Sequence, residues 1–226
     1  MSVSGGDPAD QVPPHRLNTA DQVAAVLRKR ITDGLLEPGR QLREEQLSAA
    51  LGISRNTIRE AFRVLIQDEL IVREPYRGVF VRVVTAEDVA DIFRTRKLLE
   101  PLGLDALVAD RAAAARLLRI ADTAEAAARA GDWRGVGTAN LDLHRALVEP
   151  CRSQRLDRLF TQLFAELRLA FLLTGDPEPL HEPYLAWNRT LAELIVAGDA
   201  DAARAELLRY LDDAERRITE AVKAKS

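Results

Sequence analysis

Apolar residues recur three and four apart through most of this chain and alternate in only one short region. Val23, Val26, Leu27 and Ile31 mark a helix over 21–32. Leu42, Leu47, Ala50 and Leu51 mark a short second helix over 42–51, ended by Gly52 as a C-terminal glycine ends one. Ile58, Ala61, Phe62 and Leu65 form the buried face of a third, which opens at Ser54, whose hydroxyl can accept from a first-turn amide. Between the first two helices, Glu37-Pro38-Gly39 is a turn signal. The runs 70–74 and 79–83 are β-branched and flank Pro75-Tyr76-Arg77-Gly78, the pattern of a hairpin. Three helices and a hairpin predict a winged helix-turn-helix with Arg77 and Gly78 at the wing tip.

Beyond residue 84 no strand pattern recurs. Thr85-Ala86-Glu87-Asp88 is a capping box that starts a second region. The spacing predicts helices over 86–109 with a kink at Pro101, then 111–130, 133–149, 153–174, 181–197 and 199–223. Asp176-Pro177-Glu178-Pro179 reads as a loop. Gly131-Asp132 and Gly198-Asp199 each join a helix-ending glycine to an N-capping aspartate, the mark of a short connection between antiparallel helices. The fold class is therefore mainly α: an N-terminal winged helix-turn-helix domain followed by an antiparallel all-α helical bundle. The expected division is a disordered arm at 1–16, a winged-helix domain at 17–84 and a helical domain at 85–226.

Composition adds limits. At 226 residues and 47% apolar, the chain suits two domains with real cores. Residues 1–16, rich in Ser, Gly, Pro and Asp, have no apolar run. No stretch approaches 18 apolar residues, so no membrane span is expected. Cys151 stands alone, and a bland thiol in a reducing cytoplasm fits it. The net charge of −3 divides unevenly: residues 1–84 carry 12 Lys and Arg against 11 Asp and Glu, and residues 85–226 carry 20 against 24. Any nucleic-acid affinity of the first domain thus rests on where its arginines lie.

They lie together. Arg55, Arg59 and Arg63 fall four apart on one face of the third helix, with only Glu60 interleaved. Arg can pair bidentately with guanine, Asn56 with adenine, and Ser54 or Thr57 with phosphate. The plain alternative is a solvated basic face. In the second region the informative feature is polar residues on apolar faces. Arg96 sits on the stripe Val89, Ile92, Phe93, Leu99, with Glu100 at its border. Asn140 and His144 share a face with Leu143 and Leu147, Asn188 falls among Tyr184, Trp187 and Leu191, and Tyr210 lies between Leu207 and Leu211. A buried polar group left unpaired costs ~1–3 kcal/mol, so five on four helices point to a shared polar pocket. The plain alternative is local pairing of each, above all Arg96 with Glu100.

Residues 19–83 resemble the DNA-binding domain of the GntR family of bacterial transcription repressors. The matching pieces are Gly34-Leu35-Leu36-Glu37-Pro38-Gly39, Leu42-Arg43-Glu44, Leu51-Gly52-Ile53-Ser54-Arg55, Ile58-Arg59-Glu60-Ala61 and Arg77-Gly78-Val79-Phe80-Val81, in that order. The resemblance implies that Ser54, Arg55, Asn56, Thr57 and Arg59 meet the major groove, and that Arg77 with Gly78 reaches the minor groove. Some members also use an arginine in the second helix; its equivalent here is Glu45 or Gln46, and Arg43 is the substitute. Residues 85–226 resemble the all-helical effector domain of the FadR-like branch, through Arg96-x-x-x-Glu100 and Ala197-Gly198-Asp199 with Ala202-Ala203. Many members of that branch hold a divalent metal with an acid and three histidines. Those positions carry Asn140, His144, Asn188 and Tyr210 here, so one ligand of the four survives; no cofactor is expected and no tightly held metal, which leaves at most weak metal binding at His144.

The expectation is a cytoplasmic, homodimeric repressor. It binds a double-stranded, palindromic DNA operator and is released by a small-molecule effector, a carboxylic acid, held by Arg96, Asn140, His144, Asn188 and Tyr210. One competing class is an all-helical metal-dependent enzyme or sensor with an accessory winged helix. It needs a full ligand set, and the sequence holds three histidines, His15, His144 and His181, and no His-Glu-x-x-His motif. Another is a DNA-organising protein without sequence preference.

Overall fold

The computed structural model describes residues 19–225; the predicted arm at 1–16 lies outside them. The N-terminal unit is built from α1 (Thr19–Thr32), β1 (Gln41–Leu42), α2 (Glu44–Leu51), α3 (Arg55–Gln67), β2 (Ile71–Glu74) and β3 (Gly78–Val81). Val23, Leu27, Ile31, Ile58, Phe62, Leu65, Leu70, Val79 and Val81 close one core between the helices and the wing. Ser54 caps α3 by accepting from the Thr57 amide, and Gly52, at φ +65°, closes α2. The wing has a third strand that periodicity does not reveal. Leu42 is the buried residue of β1 rather than the first of α2, and β1 pairs with β3 through Gln41↔Phe80 and Leu42↔Val79. Two residues are too few to show alternation. Gly39, at φ +80°, places its amide on the Val81 carbonyl at 2.9 Å and so brings the strand in.

Among the described residues seven α-helices follow: α4 (Ala86–Leu99), α5 (Leu104–Ala109), α6 (Arg111–Arg129), α7 (Trp133–Val148), α8 (Gln154–Thr174), α9 (Pro177–Ala197) and α10 (Ala200–Lys223). The capping box at the start of α4 is formed, with Asp88 and Thr85 exchanging bonds at 2.8 and 3.2 Å. Two expectations need correction. The helix over 86–109 is not kinked but broken, by a 3₁₀ turn at Glu100–Gly103 that carries Pro101. The break lets Gly103 press against α7, where a Cβ would stand 1.8 Å from the Leu147 carbonyl oxygen. The expected loop at 176–179 is instead the first turn of α9: Asp176 caps it and Pro177 occupies the first position, where a missing N–H costs nothing.

The two units touch directly. Arg82, just after β3, reaches Glu166 of α8 at 3.0 Å and Asp88 of α4 at 2.7 Å. Gly34, after α1, lies where a Cβ would meet Leu172 at 2.9 Å and Arg134 at 3.0 Å.

Candidate functional site

Two surfaces answer to the chemistry expected of the chain. The first is the exposed side of α3. Ile58, Ala61, Phe62 and Leu65 are inward, which leaves Arg55, Asn56, Arg59 and Arg63 in solvent and Thr57 half-buried. Two of the three acids that pair with these arginines come from the neighbouring α2 and one from α3 itself. Glu45 of α2 meets Arg55 at 2.6 Å, Glu44 meets Arg59 at 2.7 Å, and Glu60 meets Arg63 at 2.8 Å. Exposed pairs of this kind contribute about 0–1 kcal/mol, so a phosphate or base edge can displace them. At the wing tip Arg77 pairs with Glu74 and lies over Phe80, Tyr76 is fully exposed at φ 62°, and Gly78 takes φ +116°. Gln41 ties the Arg77 carbonyl to β1 at 2.8 Å and accepts from Arg43 at 3.2 Å. Gln41 thus links Arg43 to the wing tip, and Arg43 directly precedes the α2 acids that hold Arg59 and Arg55.

The second is inside the bundle. Arg96, Glu100, Asn140, His144, Asn188 and Tyr210 are all buried. Arg96 Nε donates to Glu100 Oε1 at 2.6 Å, and the other carboxylate oxygen meets His144 Nδ1 at 2.7 Å. Asn140 Oδ1 accepts from Asn188 at 2.8 Å and from Tyr210 at 2.7 Å. The Tyr210 ring leans on His144 at 4.7 Å, which joins the two halves. Glu100 was legible in sequence only as Arg96's neighbour; still helical at φ −62° and ψ −37°, it shares the buried face of Arg96 four residues on and joins α4 to α7.

Charges follow from the packing. Burial pushes the Glu100 carboxyl up, but the Arg96 charge and His144 outweigh it, so the group stays ionised. Burial pushes the His144 imidazole down, and it is neutral. A neutral ring facing a carboxylate must carry its proton on Nδ1, so Nε2 presents a bare lone pair. Among the described residues, three buried atoms of this network find no hydrogen-bond partner: Arg96 Nη2, a donor, and His144 Nε2 and Asn188 Oδ1, both acceptors in this arrangement. The cavity beside Arg96, Asn140 and Tyr210 measures about 10 Å³, room for one water.

Comparison with known proteins gives this pairing its context. The description "Bacterial regulatory proteins, gntR family" matches residues 19–81, and the FCD domain matches residues 91–213. A solved GntR transcriptional regulator from Rhodococcus sp. RHA1 is 40% identical, covers 89% of this chain and 98% of its own, and superposes with a TM-score of 0.83. The galactonate operon transcriptional repressor of Escherichia coli is 27% identical over 90% of this chain and 98% of its own length. A probable D-xylose utilization operon transcriptional repressor of Paenarthrobacter nicotinovorans is 26% identical, over 87% of each chain. The chain belongs to the GntR family. It is a transcription regulator, not an enzyme, with a DNA-binding winged helix-turn-helix and an FCD effector domain.

In this GntR protein the four positions resembling a metal site do not suit a tightly held divalent ion. Asn140 Oδ1 already accepts two hydrogen bonds, burial pushes the Tyr210 phenol up and away from ionising, and His144 supplies a single imidazole. Among the described residues, no three His, Cys, Asp or Glu side chains group closely enough to hold a metal. No described helix is long and apolar enough to cross a membrane.

Proposed function

We propose that this regulator is a homodimeric, cytoplasmic repressor whose effector is a small hydroxy acid, bound without a metal in the FCD bundle, and that the effector releases a palindromic operator. The three partnerless atoms carry the reading. Arg96 Nη2 offers a charge-assisted donor to a carboxylate. His144 Nε2 and Asn188 Oδ1 offer acceptors to hydroxyl groups. A molecule with one carboxylate and neighbouring hydroxyls satisfies both kinds. The names of the two relatives, one for a galactonate operon and one for D-xylose utilization, point to polyhydroxylated effectors of the same general kind. The cavity of about 10 Å³ is too small for such a molecule, so binding requires the bundle to open, and the opened state is the one the effector favours. Leu98 and Leu102, 69% and 59% exposed and four residues apart, are apolar surface that a second copy would cover.

A thermal-shift screen of hydroxy acids, matched neutral polyols and plain carboxylic acids tests this reading. A hydroxy acid is expected to raise the melting temperature, and Arg96→Lys to remove most of that rise. The lysine keeps a charge beside Glu100 but lacks the second arm of the fork. Stabilisation by the neutral polyol equal to that by its acid would overturn the reading. So would about one equivalent of zinc per purified chain, lost in His144→Ala.

A further inference from the structure

Where α1 ends, its last turn closes over a cleft in the bundle. The cleft measures about 210 Å³ and is lined by Thr32 and Asp33 on one side and by Arg134, Thr138, Arg168 and His181 on the other, among others. Most arginines with partly buried side chains here find a carboxylate, as Arg28, Arg82 and Arg189 do. Arg168 is half-buried, yet no carboxylate among the described residues reaches it within ion-pair distance, and the same holds for Arg134. Among the described residues Arg168 makes one side-chain bond, from Nη2 to Thr138 Oγ1 at 2.5 Å. Asp33 and Asp142 attract it only from a distance, and Arg134 repels it. Asp33 is itself held by Lys29 at 2.8 Å, which offsets its charge toward the cleft.

Gly137 lies behind two of the lining residues, Arg168 and His181. A Cβ there would stand 2.6 Å from His181 Nε2 and 3.0 Å from Arg168 Nη1, so a side chain at this position would intrude between the two nitrogens. His181 is held by an edge-on contact with Phe171 at 4.9 Å, and both residues also line the inner cavity beside Arg96. Burial, with Arg168 adding to it, pushes the His181 imidazole down to about 4, so the ring is neutral at pH 7 and its charge does not add to that of the arginines.

We propose that this cleft is a second ligand site, separate from the inner network, that takes a small oxyanion between Arg134 and Arg168. Two guanidinium groups without a carboxylate partner among the described residues are the donor set an anion needs; the Thr138 hydroxyl, which donates to the Arg134 carbonyl at 3.0 Å and accepts from Arg168, holds them in place. The volume admits a phosphate or a short dicarboxylate. Arg134 also touches the position of Gly34, so an occupied cleft bridges the DNA-binding unit and the bundle, and its ligand acts on their relative placement.

The test uses the full-length protein at constant ionic strength, with inorganic phosphate and succinate as probes and chloride as the control. Neither probe carries a hydroxyl on carbon, which separates this site from one built for hydroxy acids. Calorimetry or thermal shift is expected to show saturable binding of at least one probe, and the one bound tells phosphate from carboxylate. Arg134→Gln, on an exposed side chain, and Arg168→Gln should each weaken it at least tenfold. The proposal is overturned if neither probe binds beyond the chloride control, or if both variants bind like the parent. Binding that is lost in Arg96→Lys but kept in Arg168→Gln would also overturn it, placing the anion in the inner cavity.

Discussion

Single side chains decide both surfaces. On α3 the arginines are held in place by Glu44 and Glu45, and these exposed pairs are weak enough to exchange for DNA. Arg55→Ala and Arg59→Ala should each lose about 1–3 kcal/mol of operator affinity if they read bases, measured by gel shift at fixed salt. Parent-like binding by both would remove α3 from the interface. Arg77 lies apart at the wing tip, where its partner is Glu74. Its replacement by alanine should weaken binding across sequences and lower the salt slope by roughly one. An unchanged slope with altered base preference would argue for base reading instead. At the junction, burial pushes the Glu166 carboxyl up to about 7; Arg82 pulls it down, but Glu69 and Asp88 share that one guanidinium and push it back. The folded protein thus keeps a proton between pH 4.5 and about 7 that the unfolded chain has released, and stability from this group falls as pH rises through that window. Glu166→Gln should remove this loss, so the variant gains on the parent by ~1–3 kcal/mol between pH 5 and pH 8 in urea melts. A difference that stays flat with pH would contradict the assignment.

At the scale of elements, the break after α4 matters most. It lets Gly103 meet the α7 backbone, where a Cβ would stand 1.8 Å from a carbonyl oxygen. Gly103→Ala is therefore expected to cost several kcal/mol, as overpacking against rigid backbone does, and to lower the melting temperature by roughly 5 °C or more. A parent-like melt would mean the two helices separate easily. Long periodic elements were legible in the chain: α3, α6, α7, α8 and α10 begin and end within about two residues of their apolar stripes and caps. The short ones were not. β1 has two residues, and Leu42 fits a helical spacing as well as a strand. The start of α9 was hidden because Pro177 and Pro179 read as a loop, although a first-turn proline loses no hydrogen bond. The buried set Arg96, Asn140, His144, Asn188 and Tyr210 could be seen because each interrupts an apolar stripe. Arg134 and Arg168 could not, since a charged residue on a mixed face carries no mark until α1 is folded against it.

For the whole molecule, the coupling between the units is physical contact rather than a linker alone. Arg82 ties the end of the wing to α8, and Gly34 packs on Leu172 and Arg134. An effector that opens the closed network in the bundle must disturb the helices on which these contacts stand. It shifts operator affinity only as far as it prefers the opened, released state. Fluorescence anisotropy of a labelled operator, selected from random duplexes by binding, measures that link directly. The parent and Arg96→Lys are titrated at one salt concentration with the hydroxy acid that the thermal-shift screen identifies. Both proteins are expected to bind the operator alike without the acid; the acid releases the parent, and release of Arg96→Lys needs at least tenfold more. Release of both at the same concentration would contradict this.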